Sequence, residues 1–138
     1  MVLPSSRSDR EYKKFRDGAD GSPVVAVKRI EGVEVVEETI ANITSNTTSQ
    51  SRDFSLYKTA KIIVDIDMNN DYTDETITLK LESSADGTNW VEEGLEFVSG
   101  NSSVLSDSVS LHGKYYRFSI EVSGTAPDYT VKIQYVLK

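Results

Sequence analysis

Apolar and polar residues alternate along most of the chain from residue 54 onward. The alternation is longest in four segments, residues 62–68, 76–82, 116–122 and 129–137. It is shorter in three others, residues 54–58, 95–99 and 103–111. Successive side chains of a β-strand point to opposite faces, so a period of two predicts strands with one buried face. The pattern predicts an all-β, antiparallel β-sandwich of jelly-roll type, with seven or eight strands over one core.

The first 52 residues are patterned differently. Residues 24–36 contain two β-branched runs around a glycine, which predicts a hairpin or two short strands. Residues 39–52 are rich in Thr, Ser and Asn and predict a loop. Residues 1–23 are polar and end in a dense Asp/Gly turn signal. We therefore expect three parts: an extended N-terminal arm that docks or is flexible (1–23), short strands and a loop (24–52), and a β-sandwich domain (53–138).

Within the arm, the sequence predicts a short helix over residues 9–16. Ser8 or Asp9 would be its N-cap, and Tyr12 and Phe15 would share one face. A helix of about two turns is marginal in isolation. We therefore expect it to require a partner surface.

Charge separates the arm from the body. Residues 1–30 carry seven Lys or Arg against four acids, net +3, whereas residues 31–138 carry eight against eighteen, net −10. An acidic body argues against direct nucleic-acid binding, and the arm lacks the apolar face of a membrane-binding helix. Aromatic and basic side chains favour protein docking by the arm, with a disordered tail as the alternative. The candidate interface residues are Arg7, Arg10, Tyr12, Lys13, Lys14, Phe15 and Arg16.

Composition restricts the chemistry further. The chain has no cysteine, so it contains neither disulfides nor thiolate metal sites, which fits a reducing cytosol. The first residues lack an apolar signal-peptide core, and no apolar run approaches the roughly 18–20 residues that span a bilayer. We expect no secretory signal, no membrane span and no cofactor.

One segment resembles a calcium loop, because oxygen-bearing residues recur at alternate positions. The candidate ligands are Asp65, Asp67, Asn69 and Asp71. An EF-hand also requires Gly at its sixth position and Glu at its twelfth, where this chain has Asn70 and Thr76. The sequence favours the alternative, in which the first two acids lie on the solvent face of a strand and a turn follows.

Aromatic residues offer a second candidate site. Trp90, Tyr115 and Tyr129 would suit a sugar-stacking surface, since their rings have an apolar face and a polar edge. The alternative places several of them in the core or at its edge. No catalytic constellation is predicted: His112 and its neighbouring serines lack a nucleophile elbow, and scattered carboxylates are common in an acidic chain.

Two stretches carry a resemblance to a known group of proteins. Residues 8–17, followed by the valine-rich run at 24–27, resemble the start of small structural proteins of tailed bacteriophages. Residues 81–91, with Asp-Gly-Thr-Asn-Trp at 86–90, resemble β-sandwich modules of phage virion and tail proteins, together with residues 114–118 and the last strand. Similar patterns occur in carbohydrate-binding and discoidin-like domains.

The resemblance implies a virion component without catalytic residues. Its location would be the virion, assembled in the host cytoplasm, as a capsid decoration protein or a neck, tail or fibre adaptor. Its partners would be capsid, portal, neck or tail proteins and other copies of itself. The alternative is a carbohydrate-binding module involved in host attachment.

Overall fold

The computed structural model describes residues 33–138, and the predictions for the arm and for most of residues 24–36 lie outside this range. The described residues form nine strands and no helix, so no helix there could cross a membrane. The strands are β1 (Glu34–Ile43), β2 (Thr47–Thr48), β3 (Arg52–Asp53), β4 (Thr59–Met68), β5 (Thr76–Ser84), β6 (Val91–Ser99), β7 (Ser103–Ser110), β8 (Tyr115–Ser123) and β9 (Tyr129–Leu137).

The strands form two antiparallel sheets. Sheet A has the order β1-β9-β4-β7, and sheet B has the order β2-β8-β5-β6, with β3 also on β8. The pairs are nested: β1 pairs with β9, β2 and β3 pair with β8, β4 with β7, and β5 with β6. A long hairpin rolled up in this way is a jelly roll. The predicted fold class is therefore confirmed.

The core lies between the two sheets and is built from the alternating residues. In β9, the five residues Tyr129, Val131, Ile133, Tyr135 and Leu137 are all fully buried. Each such side chain stabilises the fold by roughly 1.5–3 kcal/mol relative to an exposed one. Because β9 is hydrogen-bonded on both sides, to β1 and to β4, its inner face is the centre of sheet A.

An aromatic cluster closes the core at one end. Phe54 packs against Tyr135 at 5.0 Å and against Tyr116 at 5.9 Å between ring centroids. Phe54 does not lie in a strand, so the strand predicted over residues 54–58 is wrong. Asp53 accepts hydrogen bonds from the backbone N–H and the hydroxyl of Ser55, which turns the chain at this point.

The loop predicted over residues 39–52 is also wrong in part. β1 continues to Ile43, and the short strands β2 and β3 follow. The sandwich thus begins at Glu34, within the segment 24–52, rather than at residue 53. The reason is a partner distant in sequence: β9 supplies the hydrogen bonds that make residues 34–43 a strand, although Glu34 and Glu38 interrupt the apolar residues on its inner face.

Acidic residues of β1 tie the two sheets together along one side. Glu38 of β1 lies 3.6 Å from the guanidinium of Arg52 in β3. Its other carboxylate oxygen accepts a hydrogen bond from the backbone N–H of Gln50 at 2.8 Å. Glu34 accepts a further hydrogen bond from the hydroxyl of Tyr57. The Glu38 contacts join sheet A to the β2–β3 segment of sheet B, and the Glu34 contact joins sheet A to the loop after β3.

Gly124, between β8 and β9, makes the closest backbone approach of the described glycines. Its φ is +108°, and a Cβ there would lie 2.6 Å from Cα of Glu75. Gly94 in β6 also has a positive φ, +86°, but nothing lies within 4 Å of its would-be Cβ. A side chain would therefore cause backbone strain at both positions, but steric overlap only at Gly124.

We predict that Gly124→Ala lowers the free energy of unfolding by about 2–4 kcal/mol, because it adds steric overlap to backbone strain. Gly94→Ala, the matched control, costs only about 1–2 kcal/mol of backbone strain. Urea unfolding of both variants measures the difference. Equal losses at the two positions would show that the close approach at Gly124 is not a constraint.

Candidate functional site

The loops between strands lie at two ends of the sandwich. Residues 69–75, 100–102 and 124–128 form one group, which we call the clamp end. Residues 54–58, 85–90 and 111–114 form the other, which we call the aromatic end. Candidate residues predicted from the sequence lie at both ends. Carboxylates bind backbone N–H groups at the clamp end, whereas aromatic and cationic side chains are partly exposed at the aromatic end.

The four calcium candidates are not assembled into a site. Asp65 and Asp67 lie on the outer face of β4, on the opposite side from the buried Val64 and Ile66. The side-chain amide of Asn69 donates to Asp128 at 2.9 Å, and Asp71 is exposed. Within residues 33–138, no three His, Asp or Glu side chains are grouped to hold a metal ion. The segment is therefore the end of strand β4 followed by a turn.

Two neighbouring carboxylates clamp the β4–β5 loop to the β8–β9 loop. Glu75 is buried and accepts hydrogen bonds from the backbone N–H of Thr73 at 2.8 Å and of Ala126 at 3.0 Å. The bond from Thr73 is the main reason that the pKa of Glu75 is lowered to about 2. Asp74 accepts bonds from the N–H and the hydroxyl of Thr125, which lower its pKa. The clamp end is thus held by ionised acids.

At the aromatic end, the Asp-Gly-Thr-Asn part of the motif at 86–90 is a self-contained turn. One carboxylate oxygen of Asp86 accepts bonds from the backbone N–H groups of Thr88 and Asn89, both at 2.9 Å. These bonds hold the pKa of Asp86 far below its ordinary value, that from Asn89 first. Ser84 accepts a bond from the N–H of Gly87, whose φ is +79°. The motif therefore has a structural role, fixing the entry into β6.

Trp90 follows this turn and lies half-buried on the outer face of sheet B. The guanidinium of Arg117 lies 4.1 Å from the centre of the Trp90 ring, and its Nε donates to Glu82 at 2.8 Å. Tyr115 is half-buried, with the ammonium of Lys114 at 5.2 Å from its ring centre. Stacking of this kind stabilises by roughly 0.5–2 kcal/mol. The patch offers an aromatic edge and guanidinium N–H groups to a polar ligand.

Tyr129 is wrong as a member of the sugar-stacking surface. It is fully buried, and its hydroxyl donates to the backbone carbonyl of Gly100 at 2.6 Å, at the clamp end. Burial raises the pKa of this hydroxyl. The cause is the alternation in β9, which puts every odd-numbered residue of this strand on the inner face.

The structure gathers no triad around His112. His112 is exposed in the turn after β7, and Ser106, Ser108 and Ser110 lie on the outer face of that strand. Asp107 accepts a hydrogen bond from the backbone N–H of Ser108. The arm candidates, Arg7 to Arg16, lie outside the described residues.

Sequence reasoning missed the partners that give Trp90 its setting. Arg117 and Glu82 are far apart in the chain, and only the β5–β8 register brings them opposite each other. The Asp74–Thr125 and Glu75–Ala126 bonds were missed for the same reason. Gly124 marks a turn between two predicted strands, but a local pattern does not indicate which carboxylates bind that turn.

Comparison with known proteins identifies the fold but no family. No protein-family model and no curated protein matches the sequence. The PBSX exported protein XepA is similar in structure, with a TM-score of 0.53 and 20% identity, over 77% of this chain and 37% of that chain. This chain thus spans well under half of XepA. The SPBc2 prophage-derived protein YomS gives a TM-score of 0.49 and 14% identity, over 75% and 94% of the two chains.

A third similar structure is that of Bacillus endospore appendages, with a TM-score of 0.45 and 15% identity, over 78% of this chain and 88% of that chain. At these identities, the likeness to XepA is evidence of a shared fold alone. The predicted resemblance to small β-sandwich proteins of phages is confirmed at that level.

We predict that Glu75 contributes stability that is present above its ordinary pKa of 4.5 and is lost as the pH falls toward its folded pKa of about 2. Glu75→Gln should therefore be less stable at pH 7 and should lose less stability between pH 5 and pH 2. Urea midpoints across this range measure the slope. Glu96→Gln, an exposed control in β6, should keep the wild-type slope. An unchanged slope in Glu75→Gln would contradict the clamp.

Proposed function

We propose that this chain is a non-enzymatic structural protein of a tailed-phage virion, anchored to the particle through its N-terminal arm. Its place would be that of a capsid decoration protein or of a neck, tail or fibre adaptor. Its partners would be the capsid, portal, neck or tail proteins beneath it and further copies of itself. It would be assembled into the virion in the host cytoplasm.

One observation carries the proposal: the jelly roll is complete between Glu34 and Lys138. All four nested strand pairs lie within these residues, and the chain divides between Val33 and Glu34. Residues 1–30 carry the net positive charge and the Tyr12 and Phe15 anchors, which favours their use in attachment.

The edges of the sandwich support display of a separate module. β1 and β6 are edge strands, and each carries three glutamates: Glu34, Glu37 and Glu38 in β1, and Glu92, Glu93 and Glu96 in β6. Charges on an edge strand oppose pairing with the edge of another chain. The body would then contact its neighbours through its faces, and a net-negative body would remain soluble in a crowded shell.

We predict that deleting residues 1–23 leaves the sandwich folded and abolishes incorporation into particles. Circular dichroism and thermal unfolding of the purified truncation test the fold, and immunoblots of purified particles test incorporation. Tyr12→Ala with Phe15→Ala should reduce incorporation, whereas the matched change Ser5→Ala with Ser6→Ala should not. Normal incorporation of the truncation would refute anchoring by the arm.

A specific observation favours a second candidate, the carbohydrate-binding module. Trp90 and Tyr115 are both partly exposed on the outer face of sheet B, and Arg117 beside them has N–H groups for sugar hydroxyls. Jelly rolls serve in lectin as well as viral capsid domains, so the fold accommodates either function.

The second candidate predicts a saturable change in tryptophan fluorescence when neutral and anionic oligosaccharides are added. Trp90 is the single tryptophan, so the signal reports on this patch. Tyr115→Ala should weaken binding about two- to tenfold, by analogy with stacking energies of roughly 0.5–1.5 kcal/mol. Tyr72→Ala removes an exposed tyrosine at the clamp end and serves as the control. A titration without any response would exclude the candidate.

A further inference from the structure

The outer face of sheet A has a groove at the end where β9 finishes. Its volume is about 290 Å³, and it lies between β4, β7 and β9. The groove is lined by Thr59, Ala60, Lys61, Ser108, Val136 and Lys138. Its two charged residues are both lysines. In a chain with a net charge of −7, a groove with only basic charges stands out.

Neither lysine of the groove, Lys61 or Lys138, has an ion-pair partner among the described residues. The carbonyl oxygen of Lys138 accepts bonds from the backbone N–H groups of Lys58 and Thr59, which fixes the main chain beneath its side chain. Val35, 54% exposed, pairs with Val136 beside them, so an apolar patch adjoins the two charges.

β6, at the edge of sheet B, carries the opposite pattern. Glu92 and Glu96 are exposed on its outer face, without an ion-pair partner in the part of the chain that the structure describes. Lys80, which pairs with Glu96 across the ladder, instead directs its ammonium to Glu121 at 3.8 Å. Val98, 52% exposed, follows on the same strand. Acids and an apolar residue thus form a strip.

The spacing of the two charge pairs matches. Glu92 and Glu96 lie opposite Glu82 and Lys80, which are two residues apart in β5, so they are separated by roughly 7 Å. The register shift at this point of β6 brings residues four apart in sequence to this distance. Lys61 lies opposite Val136, so Lys138 is its diagonal neighbour, at roughly 7–8 Å. Two carboxylates can therefore meet two ammonium groups at once.

We propose that the groove face of sheet A binds the β6 strip of a second copy of this chain. Lys61 and Lys138 would form ion pairs with Glu92 and Glu96 of the second copy. Val35 beside the groove would pack against Val98 of the strip. Because the two surfaces differ, the contact is head-to-tail and extends into a ring or a row of copies rather than closing a two-fold dimer. The inference deepens the proposed function, on which it rests for the setting in which many copies lie side by side.

The contact is expected to be weak in solution. The whole outer face of sheet A, with four strands about 4.8 Å apart and about nine residues long, covers roughly 600 Å². The contact buries no more than this area on that side. Stable interfaces bury about 800 Å² on each partner. The charge pairs are exposed and are screened by salt. Copies already anchored side by side on a particle would meet at a high effective concentration, which makes a weak contact sufficient.

Sedimentation velocity of the full chain over a concentration series, at low and at high salt, tests the contact. We expect the wild type to associate at low salt and to dissociate as salt is added. Lys61→Glu with Lys138→Glu should weaken association about tenfold or more, and so should Glu92→Lys with Glu96→Lys, because attraction becomes repulsion. Thermal unfolding checks that each variant remains folded.

Mixing the two charge-reversed variants is the decisive step. Each alone carries two faces of like charge, but an equimolar mixture restores opposite charges at every contact and should associate as the wild type does. Asp67→Lys with Asp71→Lys makes the same change in net charge as Glu92→Lys with Glu96→Lys. Asp67 lies six residues along β4 from Lys61, roughly 20 Å away, and both aspartates are exposed toward the clamp end. This control should leave association unchanged.

Three results would overturn the proposal: a wild type that stays monomeric throughout, association that neither reversal weakens, or a mixture that fails to associate. If the reversed pairs were unstable, Lys61→Ala with Lys138→Ala would replace them and should still weaken association. Association is measured without particles, so its failure is distinct from a failure of the arm to anchor the protein.

Discussion

The sandwich depends on β9, the last strand, lying between β1 and β4. Its inner face is fully buried, and its backbone pairs on both sides. Without it, β1 would have no partner, and sheet A would be reduced to the β4–β7 pair. Because β1 and β9 are at opposite ends of the described chain, this pairing closes the longest loop in the fold. Such closure is costly in chain entropy, so β9 is stabilised by an uninterrupted row of large apolar residues.

Strands that bury large side chains were the ones that the sequence pattern could predict. β4, β5, β8 and β9 have strict alternation, and each was expected close to its observed bounds. β1 was expected only in part, because it is an edge strand whose inner positions include Glu34 and Glu38. These two acids are accommodated at inner positions because Tyr57 binds Glu34 and Arg52 lies beside Glu38. Both contacts come from residues distant in sequence, so a local pattern does not reveal them. The error at residues 54–58 is similar. Phe54 is buried from a loop, where it packs against Tyr116 and Tyr135, and it does not belong to the alternating pattern of a strand.

The aromatic end shows how far a motif can lead. The Asp-Gly-Thr-Asn sequence was recognisable because a turn is local, and the hydrogen bonds of Asp86 confirm that it is a turn. The environment of Trp90 was not recognisable, because Arg117 reaches it only through the strand register. A site assembled from several strands becomes visible only when the order of the strands is known. The calcium candidates failed for the converse reason, since alternate acids on one strand point to solvent together.

The acidic residues of this chain have two different fates, and the difference bears on function. One group accepts hydrogen bonds from backbone N–H groups, which lower the pKa values of these carboxyls and fix the loops. Its members are Asp74, Glu75 and Asp86. Within residues 33–138, Glu92 and Glu96 have no such partners, and they face solvent on an edge strand. Charges that are not used to build the fold remain available to oppose edge pairing or to meet a complementary face. The same reasoning applies to Lys61 and Lys138. These two lysines have no ion-pair partner among the described residues, so they give the two sheets of a negative body different outer surfaces. Such an asymmetry suits a module whose copies stand side by side in one direction.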